Sequence, residues 1–219
     1  SVFGLHRTQW VGLDGAPTTN TFAIHSPFRE SNVGVGLSFI NDVIGPSDES
    51  TISADFSYTI NTSDTYKLAL GLRATAHLLN VDFSKLHIYN QGDALAQYNI
   101  DNRFSPNFGA GAYWYSEDTY FGISIPNMLE TQHFDKTQVA YSATSVPYER
   151  MHYHIIGGKV LDINPDIQFK PAFLAKIVEG APLQLDLSAN FLFQEKFTLG
   201  AAYRWDAAMS ALAGFQVND

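Results

Sequence analysis

The residues that could do chemistry fall at a few places along the chain. Asp162-Ile163-Asn164-Pro165-Asp166 has the alternating oxygen ligands that open a calcium loop. The pattern stops there. Its sixth position, Ile167, should be the glycine of a sharp turn, and its twelfth, Phe173, should be a bidentate glutamate. A polar hairpin turn is the better reading. His152 and His154 share one face at strand spacing, which offers two imidazoles but no third metal ligand beyond His133 in the preceding segment. Gly34-Val35-Gly36, Gly109-Ala110-Gly111 and Gly157-Gly158-Lys159 each hold two glycines of a phosphate cradle without the rest of one, so they mark crowded strands. His25, ahead of Ser26-Pro27-Phe28, fits a strand end, and no nucleophile elbow joins Ser, His and Asp. Cysteine is absent, which removes thiolate zinc sites, disulfides and thiol nucleophiles together. No catalytic residue, metal ligand or cofactor contact is therefore assigned, and the expected mode of action is not enzymatic.

What remains is charge set on alternating segments. Arg7, Arg73, Lys170 and Arg204 stand against Asp55, Asp186 and Asp206 on positions opposite the apolar ones. If that side faces an interior, these charges can pair across it, either to fill a narrow space or to line a transport path.

The elements that would position them are strands. In the 183–194 segment, Leu183, Leu185, Leu187, Ala189, Phe191 and Phe193 oppose Gln184, Asp186, Ser188, Asn190 and Gln194. Similar alternation runs through 33–39, 52–61, 68–78 and 197–206. Weaker strands are expected near 2–11, 20–26, 108–116, 119–125, 151–162, 167–178 and 208–217. Turn residues separate them at 14–17, 45–48, 61–64, 164–166 and 179–182. Residues 76–92 leave room for a short helix, since Val81 to Leu86 follows no strand period, and 126–150 reads as a long loop or hairpin. The total is about twelve strands in one antiparallel meander, a single all-β domain over 1–219.

Composition agrees. Charged residues make up 16% of the 219, against a usual share of roughly 25%, while mean hydropathy is only −0.09. Alternation explains how a weakly charged chain keeps an average hydropathy. A net charge of −9 argues against nucleic acid as a partner. No run reaches the ~18 apolar residues of a membrane helix. Alternation alone leaves two architectures open. In a soluble sandwich or lipocalin-like barrel the apolar face is the core. In a membrane barrel it meets lipid. Strand length favours the membrane barrel. So do aromatics near strand ends (Trp10, Tyr58, Tyr66, Tyr113, Trp114, Tyr115, Tyr120, Tyr203 and Trp205), which suit interfacial girdles.

One set of blocks is more specific. Arg7-Thr8-Gln9-Trp10-Val11-Gly12-Leu13-Asp14-Gly15-Ala16-Pro17-Thr18-Thr19 resembles the opening signature of the PorP/SprF family of type IX secretion. The resemblance continues in order through His25-Ser26-Pro27-Phe28, Val33-Gly34-Val35-Gly36-Leu37-Ser38, Asn41-Asp42-Val43-Ile44-Gly45, Ser105-Pro106-Asn107-Phe108-Gly109-Ala110-Gly111-Ala112-Tyr113 and Tyr120-Phe121-Gly122-Ile123-Ser124-Ile125-Pro126. It ends with Lys170-Pro171-Ala172-Phe173-Leu174, Gly180-Ala181-Pro182-Leu183-Gln184-Leu185-Asp186 and Tyr203-Arg204-Trp205-Asp206-Ala207-Ala208.

The resemblance implies an outer-membrane β-barrel of about fourteen strands that lies in outer-membrane lipid and assists secretion. Its implied partners are a secreted cargo protein, through the C-terminal domain of a surface adhesin, or subunits of the secretion machine. Members of the family carry further segments at both ends, so the chain is expected to be trimmed at each, with its barrel unclosed. Contact loops are expected at Asp14 and Gly15, at Asp42, Asp48 and Glu49, and at Glu130 and Asp135. The rival functions are a porin-like solute channel and a soluble β-sandwich binding module, the latter burying Phe56, Leu70, Leu187 and Phe191.

Overall fold

Alternating side chains become a sheet wherever neighbouring backbones can pair. A computed structural model of the chain describes residues 1–28, 31–85, 99–129 and 150–217. It shows thirteen strands: β1 (Val2–Thr8), β2 (Thr18–Pro27), β3 (Val33–Ile44), β4 (Ser47–Asn61), β5 (Lys67–Val81), β6 (Ile100–Tyr115), β7 (Thr119–Ile125), β8 (His152–Lys159), β9 (Leu161–Asn164), β10 (Ile167–Val178), β11 (Gln184–Phe193), β12 (Phe197–Arg204) and β13 (Ala208–Phe215). Pairing follows chain order from β1 to β8 and from β10 to β13, with β8 joined to β10 and β9 pairing only with β10. The architecture is the all-β antiparallel meander that the alternation predicts.

Three differences have local causes. The strand expected over 151–162 is split, because the Val160 amide donates to the Asp118 carbonyl (2.7 Å) and the β9 register slips between Ile167 and Gln168. That split turns twelve strands into thirteen. β6 begins well before residue 108. Asn102 sits there at φ 48° and Pro106 lacks a ladder donor, so neither reads as strand. The helix expected within 76–92 does not form in its described part. β5 runs on to Val81, and the helical element among the described residues is a single 3-10 turn, Phe83–Lys85. Residues 86–92 lie outside the described residues. So does most of the loop or hairpin expected over 126–150, including Glu130 and Asp135.

The chain divides into two units, one of residues 1–58, 71–109 and 127–150, the other of 59–70, 110–126 and 151–219. In the first, registers align Ile24, Leu37 and Ala54 in one cross-strand row and Phe22, Phe39 and Ile52 in the next. The following row on the same face is polar: Asn20, Asn41 and Ser50, with His6 on β1. These side chains form a ladder. His6 Nδ1 lies 2.7 Å from Asn20 Oδ1, Asn20 Nδ2 donates to Asn41 Oδ1 (3.5 Å), and Asn41 Nδ2 donates to Asp48 Oδ1 (2.7 Å) and Ser50 Oγ (3.2 Å). In the second unit, Phe169 and Phe191 are register partners whose rings stack at 4.7 Å, and Leu187 pairs with Phe173 and Tyr203.

Polarity across the sheet is the reverse of a soluble core. Among the described residues no hydrophobic side chain is buried, and the buried polar ones are Ser53, Thr75 and Asn107. Phe56, Leu70, Leu187 and Phe191, the core expected of a sandwich, are 47%, 44%, 44% and 37% exposed. Burying such a side chain away from water is worth ~1.5–3 kcal/mol. A sheet that leaves its whole apolar face bare in water would forgo this at every position, so lipid is the medium that face suits. Its extent agrees. Ile52 to Ile60 on β4 covers ~27 Å of strand at ~3.4 Å per residue, or ~20 Å of depth at a tilt of ~40°, against a usual apolar band of ~25 Å.

A charge placed on this face discriminates between the two media. Leu187→Arg is expected to cost ~2–4 kcal/mol in reversible unfolding from lipid vesicles. A water-facing position would tolerate it within ~0.5 kcal/mol, and that smaller result would show that this face does not meet lipid.

Candidate functional site

The polar face is held by side chains on neighbouring strands. In the first unit Arg73 on β5 meets Asp55 on β4 side-on, Nε to Oδ1 at 2.6 Å and one terminal nitrogen to Oδ2 at 3.1 Å. Arg204 on β12 and Asp186 on β11, direct register partners in the second unit, repeat the geometry at 2.7 and 3.1 Å. Both forks are partly exposed, so their main effect is to fix two long side chains flat against the wall. The expectation that opposite charges reach across an interior is corrected for these pairs, because each spans adjacent strands only. Ser53 Oγ and Thr75 Oγ1 pair at 3.1 Å in the same unit as Asp55. Near them His77 Nδ1 lies 3.0 Å from Thr51 Oγ1 and 3.4 Å from Glu49 Oε1.

Loops of the first unit are tied into a rim by their backbones. The Gly45 amide donates to the Gly15 carbonyl (3.0 Å), and the Asp82 amide to the Pro46 carbonyl (2.9 Å). Gly15 and Gly45 both have positive φ, and a Cβ on Gly15 would lie 3.2 Å from the Gly45 Cα. Only glycines allow that approach. Asp82 Oδ1 gathers the Ser84 amide (3.1 Å), the Ser84 hydroxyl (2.6 Å) and Asn99 Nδ2 (3.2 Å), while Asn99 Oδ1 accepts from the Phe83 amide (3.0 Å). The Ser84 hydroxyl bond holds the Asp82 carboxyl below the usual aspartate range, against the opposing effect of burial, with the Ser84 amide, Lys85 and Asn99 adding to the lowering. A lowered carboxyl contributes stability above its unfolded value and loses it only as pH falls through the folded one. The Asp82 contribution is therefore present at neutral pH.

Between β1 and β2 the rim carries an apolar tip. Gln9 donates to the Pro17 carbonyl (3.0 Å), Leu13 to Trp10 (3.1 Å) and Ala16 to Leu13 (3.3 Å), which closes the loop on itself. Trp10, Val11 and Leu13 are then 68%, 85% and 64% exposed. Asn107 on β6 is fully buried and acts as a surrogate peptide group. Its Oδ1 accepts from the amides of Phe108, Met128 and Leu129 (2.8, 2.9 and 3.0 Å), and its Nδ2 donates to the Leu129 carbonyl (2.9 Å). This pins the start of the long 126–150 connection to β6.

The expected site residues distribute as follows. Register puts Arg7 in one row with Thr19, Asp42 and Glu49, on the face that also carries Asp55 and Arg73. Thr19 donates to Asp42 within that row. Lys170 shares the polar face of the second unit with Asp186. Asp206 does not belong to a wall. It lies in the turn after β12 at φ 54°, past the end of the ladder. Asp14 and Gly15 lie in the rim loop as expected, but Asp42, Asp48 and Glu49 are strand residues. The loop there shrinks to Gly45-Pro46, with Val43 paired to Asp48 and Asp42 to Glu49. Tyr113, Tyr115 and Tyr120 also lie on the polar face, since Tyr120 pairs with Gly158 and Tyr113 with Gly122, so they are not girdle residues. Trp114 fits that role better, stacked on Tyr66 at 4.2 Å with its Nε1 donating to Thr62 (3.3 Å).

The candidate metal motifs dissolve into turns. Asn164 Oδ1 accepts from the Asp166 amide (3.0 Å) and Asp162 Oδ1 from Gln168 (2.8 Å). The His152 and His154 rings lie 6.3 Å apart, and Lys176 stands opposite His154. No metal-binding group of three ligands occurs among the described residues, and His133 lies outside them. Sequence reading missed the clamp of Asn107 and took Trp10, which lies in the Trp10-Val11-Leu13 tip, for a girdle residue. The tip had a signal, three apolar residues beside the Asp14-Gly15 turn. Asn107 had only its place in the Ser105–Tyr113 family block, which gives no sign of a buried clamp.

Comparison with known proteins adds the following. A family model described as type IX secretion system membrane protein PorP/SprF matches residues 1–219. No curated protein matches the chain. Among solved structures, the NanC porin in a rhombohedral crystal form is similar with a TM-score of 0.43 and 8% identity, covering 99% of this chain and 98% of that one.

Removing the surrogate peptide group should be costly. Asn107→Ala leaves the Phe108 and Leu129 amides and the Leu129 carbonyl without this partner, while the Met128 amide keeps the Phe108 carbonyl (2.7 Å). Each lost partner is worth ~1–3 kcal/mol where the group is shielded from water. We expect a loss of about 2–4 kcal/mol, read as a lowered urea midpoint for unfolding in lipid. A change within 0.5 kcal/mol, the range of an ordinary surface substitution, would show that the clamp is dispensable.

Proposed function

The chain belongs to the PorP/SprF family of type IX secretion system membrane proteins, and from that premise we propose that it works by protein contact, binding secreted cargo or subunits of the secretion machine without catalysing a reaction. It is a component of type IX secretion and a membrane protein. Among the described residues no helix is long and apolar enough to cross a membrane. Its strands are the crossing elements, the construction of outer-membrane proteins, and the outer membrane is its location.

One observation carries the contact reading: the apolar tip Trp10-Val11-Leu13 on the hydrogen-bonded rim. Large apolar side chains cost little entropy to bind when their backbone is already fixed, and tryptophan dominates many binding hot spots. The tip sits in the loop of Asp14 and Gly15, whose flanking residues carry the family resemblance. A solute channel is the second reading, favoured by the polar face with its Asp55–Arg73 and Asp186–Arg204 forks. Ion conductance of the purified protein in planar bilayers supports that alternative, and a silent protein speaks against it.

The contact reading is tested by affinity capture of the intact protein from outer membranes, with and without Trp10→Ala/Leu13→Ala. Secretion subunits or a secreted adhesin should co-purify with the wild type and fall at least tenfold with the double variant, whose membrane level stays normal. Equal capture by both proteins would sink the role of the tip. Normal surface delivery of every secreted substrate after deletion of the full gene would sink the secretion role.

A further inference from the structure

The polar face of the second unit carries a surplus of cations. Lys170 and Lys176 share it, with Lys176 opposite both His154 and Gln184, and Lys170 opposite Asn190. Two carboxylates lie on the same side. Asp186 is taken by Arg204, and Asp162 is bonded to Gln168 at the far hairpin turn. Among the described residues no ion pair engages Lys170 or Lys176. In a chain of net charge −9, two unpaired lysines on one wall run against the average.

Beside Lys170 the wall is paved with tyrosine. The Tyr113 and Tyr115 rings lie 5.3 Å apart, and those of Tyr113 and Tyr120 6.0 Å apart. They can lie down because their neighbours are glycines. A Cβ on Gly158 would come 2.6 Å from the Tyr120 hydroxyl, and one on Gly122 would come 2.9 Å from the Tyr113 ring. Lys170 Nζ stands 5.6 Å from the Tyr120 ring centroid. Lys170 and Lys176 are separated along β10 by a span of ~20 Å at ~3.3 Å per residue. One small carboxylate cannot reach both, whereas an extended peptide can.

We propose that this face, with Lys170 over the Tyr113–Tyr115–Tyr120 floor and Lys176 further along β10, binds an extended acidic segment of a partner polypeptide. The tyrosines supply apolar contact at low entropic cost and the lysines pair with carboxylates about six residues apart in that segment. The proposal deepens the contact reading and rests on it only in taking the partner to be a polypeptide.

The test uses the purified full chain in detergent micelles and three fluorescent probes: a decapeptide alternating Glu and Gly, its Gln counterpart, and a sulfated polysaccharide. The Glu peptide should bind at least tenfold more tightly than the Gln peptide and weaken with added salt. Lys170→Gln/Lys176→Gln should lose tenfold or more while keeping its β-sheet circular dichroism, and Lys170→Arg/Lys176→Arg should restore binding. Lys159→Gln, whose register with Thr119 puts it on the opposite face, should change nothing. Equal binding of both peptides, or binding indifferent to the two lysines, overturns the proposal. So does lysine-dependent binding of the polysaccharide alone. If peptide binding fails while partners still co-purify, this site is wrong and the contact reading stands. If capture fails in the Trp10/Leu13 variant while peptide binding persists, the site stands and the tip does not.

Discussion

Inside a hydrocarbon layer no water is available to pair with a backbone amide or carbonyl, and each one left alone costs several kcal/mol. Everything else in this chain is arranged around that constraint. Each strand from β2 to β12 except β9 is hydrogen-bonded on both sides along one path, and the side chains are free to invert the usual order, with apolar groups bare and Ser53, Thr75 and Asn107 covered. Stability then comes less from a greasy interior than from strand pairing along the sheet and from polar side chains that satisfy one another on its far side. The two Arg–Asp forks and the Ser53–Thr75 pair are small examples.

Alternation was legible because lipid and a polar interior both demand period two. The 183–194 and 52–61 segments could be read residue by residue for that reason. Legibility failed where the pattern left the lipid. Asn41, Asp42, Asp48 and Glu49 look like a loop because neither face is apolar there, yet the ladder continues through all four. Nothing in residue type separates a polar strand above a membrane from a polar turn. The early part of β6 was hidden by Asn102 and Pro106, residues that disfavour a regular strand and sit in this one. Which face was which could not be read from alternation. It became plain only when Phe56, Leu70, Leu187 and Phe191 proved bare.

The site was legible in its charges and not in its connections. Asp55, Arg73, Asp186 and Arg204 could be placed on one type of face from parity, but register decides who meets whom, and register depends on turn lengths. The same limit applied to tyrosine. Tyr113 and Tyr120 look like girdle residues by position, and only their pairing with Gly122 and Gly158 puts them on the polar side. Glycine beside an aromatic is a clue that can be read once the strands are aligned, since the ring lies where a methyl would have been.

The asparagine ladder on β1 to β4 has a consequence for where the protein can live. It marks the level at which the wall leaves hydrocarbon, and the Gly45-Pro46 turn lies beyond it by ~13 Å of strand, or ~10 Å of height once tilted. A headgroup layer is ~5–8 Å deep on each side. That turn therefore clears the lipid surface in a bilayer of ordinary thickness. In a thicker one, the ladder would be drawn into oil and its amides stripped of water. The chain carries its own caliper, and a membrane that does not fit it is one in which the rim would be half submerged.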